Sequence, residues 1–143
     1  MSDAERVPLT VVTAAVIRDG DGRFLLARRP EGKHMAGLWE FPGGKVDAGE
    51  EPAAGLAREL AEELGVEAEV GEPITFAVHS EPGLRILLLF YSTRIVAGEA
   101  KPHDGQQLEW VAGSELRRYP TPPADAALVR LLQGTDRGPE GGA

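Results

Sequence analysis

The chain has 143 residues, 42% hydrophobic and 27% charged, a balance that supports one packed domain and excludes wholesale disorder. Its net charge of −8 argues against broad binding along a nucleic-acid backbone, which needs a basic face, so no nucleic-acid partner is expected. The absence of cysteine excludes disulfides and thiolate metal sites. No apolar run approaches the ~18 residues of a membrane helix, and MSDAERVPLT lacks the basic-then-apolar order of a secretory signal. The expectation is a cytoplasmic protein with no membrane partner.

Leu9–Ile17 is apolar and β-rich enough for a central strand. Asp19-Gly20-Asp21-Gly22 is a turn signal, and Arg23–Arg29 returns as a second strand. A polar loop, Pro30–Gly37, leads to a short β-prone piece, Leu38–Phe41, which Pro42-Gly43-Gly44 breaks. Pro52 suits a first helical turn, Glu50 and Glu51 its positive end, and Gly65 the stop. Ala53, Leu56, Ala57, Leu60 and Leu64 recur at helical spacing, so the pattern predicts a helix over Glu51–Leu64. Val66–His79 and Leu84–Val96 read as strands joined at Glu81-Pro82-Gly83, and Leu108–Val111 as one more. A Pro-rich linker at Pro120–Pro123 precedes a final helix, Ala124–Leu132. Residues 1–133 form a single domain on this reading, and the Gly-rich 134–143 a disordered tail. Pattern alone defines a mixed α/β domain.

Within the predicted helix, Glu59, Glu62 and Glu63 fall in one sector of about 100°, apart from the apolar sector. Carboxylates three and four residues apart repel by a few tenths of a kcal/mol per pair, so an ordered face of this kind needs an offsetting charge. Oxygen-only ligands suit hard cations, first Mg²⁺ and also Mn²⁺. A solvated acidic face is the plain alternative. Arg58, four residues before Glu62, is placed to pair with it, and Gly43-Gly44 allows close backbone approach.

Gly44, Glu50, Arg58, Glu59, Leu60, Glu62, Glu63, Gly65 and Val66 stand in the spacing G-x5-E-x7-R-E-U-x-E-E-x-G-U, where U is bulky and aliphatic. At every defined position this resembles the signature of the Nudix hydrolases. The run His34–Val46, HMAGLWEFPGGKV, and Gly105–Val111, GQQLEWV, are similar to the MutT-type branch, which handles nucleoside triphosphates. The resemblance spans roughly residues 8 to 132. It implies an α/β/α sandwich with a mixed central sheet. It implies metal ligation by the Gly43 carbonyl, Glu59, Glu62, Glu63 and Glu109, with Glu50 supporting the loop. It implies phosphate contact by Arg29; Arg28 is a further candidate or equally a solvated edge charge, Lys45 a weaker one, and His34 and Phe41 are candidate pocket residues.

The implied reaction is Mg²⁺-dependent hydrolysis of a nucleoside triphosphate, a small-molecule partner, to a monophosphate and pyrophosphate, by a monomer or weak homodimer. Glu59 is the preferred general base and Glu109 the runner-up. Asp125 matches a position at which the branch carries Asn against oxidised guanine; an N-cap is its plain alternative. Ionised Asp accepts only, so 8-oxoguanine requires a protonated Asp125 or a neighbouring donor, whereas cytosine N4 offers a donor directly. The expected substrate is 8-oxo-dGTP, in a mutation-avoidance role, with CTP or a modified dCTP as the alternative. An ADP-ribose or dinucleoside polyphosphate hydrolase and a non-catalytic nucleotide sensor are more distant readings.

Overall fold

In the computed structural model, which describes residues 6–32 and 36–133, the chain is built around β1 (Leu9–Ile17). Ala14 and Val16 enter one core cluster and Ala15 and Ile17 another, so both faces of its second half are buried. That explains a continuous apolar run rather than an alternating one. β6 (Leu84–Ala97) lies parallel to β1, and β4 (Gly43–Lys45) pairs with it antiparallel on the other edge. With β5 (Glu67–Glu81) beyond β6, the order β4-β1-β6-β5 is a mixed sheet. A second, antiparallel sheet has the order β3-β2-β7, from Trp39–Glu40, Phe24–Arg28 and Gln107–Val111. Asp19 makes the turn between β1 and β2 by accepting from the Asp21 and Arg23 amides at 2.9 Å each. Beyond one bridge, Arg18 to Phe24, the two strands part into different sheets.

Helix α1 (Pro52–Leu64) packs Leu56, Leu60 and Leu64 against Ala15, Ile17 and Leu25. Each of these fully buried leucines contributes about 1.5–3 kcal/mol. Gly65, at φ 70, ends the helix in the left-handed conformation. On the opposite side α2 (Ala126–Leu132) packs Leu128, Val129 and Leu132 with Ala14, Phe24 and Phe90. The expected α/β/α arrangement is therefore observed. No described helix is long and apolar enough to cross a membrane.

Three local readings change. Gly43-Gly44 does not simply break a strand; it starts β4, because backbone approach overrides propensity. A Cβ at Gly43 would fall on the Thr13 carbonyl oxygen. Ala53 and Ala57 are only partly buried, while Gly55 is buried facing Glu50, where a Cβ would lie 2.7 Å from Glu50 Oε1. The C-terminal helix opens with a 3₁₀ turn at Pro123–Asp125, and another such turn, Gly113–Arg118, carries the buried Leu116.

The tight β1–β4 contact is testable by thermal melting. Gly43→Ala is expected to destabilise by about 2 kcal/mol or more, whereas Gly20→Ala, with nothing within 4 Å of its added Cβ, stays within about 0.5 kcal/mol of the parent. Equal melting temperatures for the two variants would contradict the packing described.

Candidate active site

Arg58, on the second turn of α1, reaches back to the loop before the helix. Its Nε and Nη2 donate to the two oxygens of Glu50 at 2.7 and 3.0 Å, the two-pronged geometry of a guanidinium on a carboxylate. The Asp47 amide also donates to Glu50, at 2.9 Å. Together these hold the Glu50 carboxyl down at about 2. Arg58 Nη1 turns to Glu59 and Glu62, at 3.2 Å each, and Nη2 donates to the Lys45 carbonyl at 3.3 Å. The expected pair with Glu62 is thus one arm of a hub. Being partly solvated, these pairs orient side chains more than they add stability.

Glu59 packs its carboxyl on Gly44, where a Cβ would stand 2.6 to 2.9 Å from all three carboxyl atoms. Gly44 is required for that approach. Glu63 is on the same helix face, one turn beyond Glu59, and its carboxyl is pushed up to about 8. Burial is the main cause, followed by the negative charges of Glu59, Asp104 and Glu40. Among the described residues no three acidic or histidine side chains already close on one metal position. Glu62 is 59% exposed and committed to Arg58. The crowded pair Glu59–Glu63 still has the chemistry of a hard-cation site, because it offers oxygens alone. A cleft of about 530 Å³ lies beside it, lined by Gly43, Glu63, Asp104, Glu40, Arg28 and Arg29.

Asp104 was not among the residues expected here. The Lys101 and His103 amides donate to the carbonyls of Leu64 and Glu63 at 3.1 and 3.0 Å, so this loop satisfies the end of α1 and brings Asp104 toward Glu63. The signal was the Asp-Gly turn at Asp104-Gly105, with Gly105 at φ 76, next to the GQQLEWV segment. Glu109, the carboxylate expected from that segment, is not brought to the cluster. It pairs with Leu26 across β2 and β7, which turns it to the sheet face opposite Leu25 and α1, and it is exposed.

Arg28 and Arg29 both reach the cleft as expected. Arg29 Nη1 contacts Glu40 Oε1 at 2.9 Å, and Arg28 Nη1 contacts Gln107 Oε1 at 3.1 Å. Lys45 is exposed at the end of β4, engaged through its carbonyl. Phe41 is not a pocket residue: it is 4% exposed and stands edge-on to Phe90 in the core, 6.2 Å between ring centres. His34 and the tail 134–143 lie outside the described residues. Asp125 is 3% exposed, and its side chain caps neither α2 nor the preceding turn, which removes the N-cap reading. Burial, and secondarily Glu40, push its carboxyl up to about 7.

Residues 13–131 match the NUDIX domain model, and the chain belongs to this family of hydrolases. Hydrolases of this family use divalent cations, in keeping with the paired carboxylates. The chain is 42% identical over 121 residues to the CTP pyrophosphohydrolase of Escherichia coli K12, covering 85% of this chain and 89% of that one. It is 41% identical over 125 residues to the 8-oxo-dGTP diphosphatase of Haemophilus influenzae, covering 87% and 92%. The crystal structure of the MutT protein from Methanosarcina mazei Go1 superposes with a TM-score of 0.76 at 28% identity, covering 92% of this chain and 96% of that one.

The two carboxylates of the Asp104–Val111 segment separate in a mutant comparison. Asp104→Asn is expected to lower divalent-cation affinity and turnover by about tenfold or more, and Glu109→Gln to leave both within about twofold. Calorimetric cation titration and steady-state rates check this, and the opposite order would restore Glu109 to the metal site.

Proposed function

We propose that this protein hydrolyses nucleoside triphosphates to nucleoside monophosphates and pyrophosphate, with Mg²⁺ as its natural cation and Mn²⁺ as a substitute, and that 8-oxo-dGTP is its preferred substrate. Glu59, Glu63, the Gly43 carbonyl and Asp104 would hold the cation, with Glu62 available once it leaves Arg58. A bound divalent cation would neutralise triphosphate charge and acidify the attacking water. Glu59 is the general base: Arg58 fixes one of its oxygens and Gly44 the packing of its carboxyl, the orientation that proton transfer needs. Water oxygen bonds to phosphorus as a phosphoanhydride P–O bond breaks, and the water protons pass to Glu59 and solvent. Arg28 and Arg29 supply positive charge along the cleft to the phosphates. Retention of Glu59, Glu62 and Glu63 together argues against a non-catalytic sensor.

Asp125 is the observation that carries the choice of base. A buried carboxyl with no capping role and a midpoint about 7 is half protonated near neutrality. In its acid form it donates through O–H and accepts through C=O, as Asn does. That pair matches O6 and N7–H of 8-oxoguanine. Unmodified guanine presents lone pairs at both O6 and N7, so one of the two contacts turns repulsive. Cytosine, with N3 accepting and N4–H donating, offers the same complement, and the Escherichia coli relative makes a cytosine triphosphate the second reading.

The test is kcat/KM for 8-oxo-dGTP, dGTP, dCTP and CTP at pH values on both sides of 7, for the parent and Asp125→Asn. The parent is expected to favour 8-oxo-dGTP and to lose it as pH rises through about 7, and Asn to remove that decline. A cytosine triphosphate ahead in the parent would replace the first choice. Stability follows the same group. Because its folded midpoint lies above the ordinary 3.8, ionisation costs the folded state, and stability falls as pH rises from 3.8 through about 7. Asp125→Asn should therefore stabilise the fold above pH 7, by at most a few kcal/mol, with the gain vanishing toward pH 4, as thermal melting across that range checks.

A further inference from the structure

A smaller cavity of about 270 Å³ opens off the cleft at the end of β2, sharing Arg28, Arg29 and Pro30 with it. Gly37, Gly105 and Gln107 complete its wall, with Glu31 the one carboxylate in the lining. Gln107 stands directly across from Arg28 in the β2–β7 register, so the two side chains rise from the same face of the sheet. Its Oε1 accepts from Arg28 Nη1 at 3.1 Å, and the Gly37 carbonyl accepts from Arg28 Nε at 3.4 Å. Both acceptors are neutral, and they take two of the five N–H groups of the guanidinium. Among the described residues no carboxylate pairs with Arg28, Glu31 included. Arg29 differs: Glu40 holds it at 2.9 Å, which offsets its charge locally. Gln106, the neighbour of Gln107, serves the other side. It lines the cleft, and its Oε1 accepts from the Asp104 amide at 2.9 Å. One short segment thus ties the cation side of the cleft to the side cavity.

We propose that the side cavity seats the two terminal phosphates of the substrate, the pair released as pyrophosphate, and that Gln107 is the positioning residue that holds Arg28 toward them. This assignment rests on the triphosphate hydrolysis proposed above. A polyphosphate chain is a run of anions, and a guanidinium matches two of its oxygens at once. A carboxylate at position 107 would fix Arg28 equally well but cancel the charge that a phosphate needs. Glutamine braces the guanidinium and leaves that charge in place, and its amide keeps N–H donors of its own for a phosphate oxygen. At about 270 Å³, against the ~30 Å³ share of one liquid water, the cavity has room for both phosphate groups.

The test is calorimetric titration of the full chain with inorganic pyrophosphate and, separately, with dGMP, both at fixed Mg²⁺. Gln107→Glu keeps the size of the side chain and an acceptor for Arg28, and both positions are exposed, so the fold has no reason to change. It should weaken pyrophosphate about tenfold or more while dGMP stays within about twofold. Arg28→Met should do the same, and Gln107→Leu, which loses the brace but not the charge, should weaken pyrophosphate about threefold. Pyrophosphate affinity unmoved in Gln107→Glu, or both products weakened alike, overturns the inference, and the reaction stands if the parent still releases pyrophosphate from triphosphates. A parent that releases no pyrophosphate from 8-oxo-dGTP or CTP overturns the reaction and this inference together.

Discussion

The guanidinium of Arg58 is the interaction on which the site depends. α1 carries three carboxylates on one face, and left alone they would repel and spread. Arg58 engages Glu59 and Glu62, and through Glu50 it ties the helix to the loop that follows β4. Glycine makes the arrangement possible at two points: Gly44 admits the Glu59 carboxyl, and Gly55 admits Glu50. The compensation is uneven. Glu50 is held ionised by Arg58, whereas Glu63, on the cleft side, is crowded by negative neighbours. That asymmetry separates an ion-pair hub from a carboxylate pair with the chemistry to hold a hard cation.

The sandwich sets these groups around the cleft. β1, buried on both faces, aligns β4 on one edge and β6 on the other, while α1 packs across the sheet and is secured at its end by the loop carrying Asp104. The short strand β3 bears Glu40, which lines the cleft with Glu63 and Asp104. On the proposed function, the Glu59–Glu63 side would face the cation, Arg28 and Arg29 the phosphates, and Asp125 the base.

Much of this was legible in the sequence because it depends on local spacing. Helical periodicity located α1, the turn residues separated the strands, and the Arg58–Glu62 interval implied contact before any coordinates. What escaped depends on long-range pairing. Gly43-Gly44 looks like a break until Thr13 is seen pressed against it. Glu109 sits in a matching motif, but cross-strand register with Leu26 turns it away, and Asp104 enters the cleft from the preceding turn. Phe41 stands beside the glycine pair in sequence, yet packs edge-on to Phe90 from a distant strand. Nor does spacing reveal that Asp125 is buried without capping the helix it precedes.

The most direct measurement of the central claim is the product balance from 8-oxo-dGTP and CTP, resolved by chromatography with and without a divalent cation. The account predicts nucleoside monophosphate and pyrophosphate in equal amounts, with Mg²⁺ or Mn²⁺ required and turnover abolished by a chelator. Release of orthophosphate with a nucleoside diphosphate, or full turnover in the presence of the chelator, would contradict it.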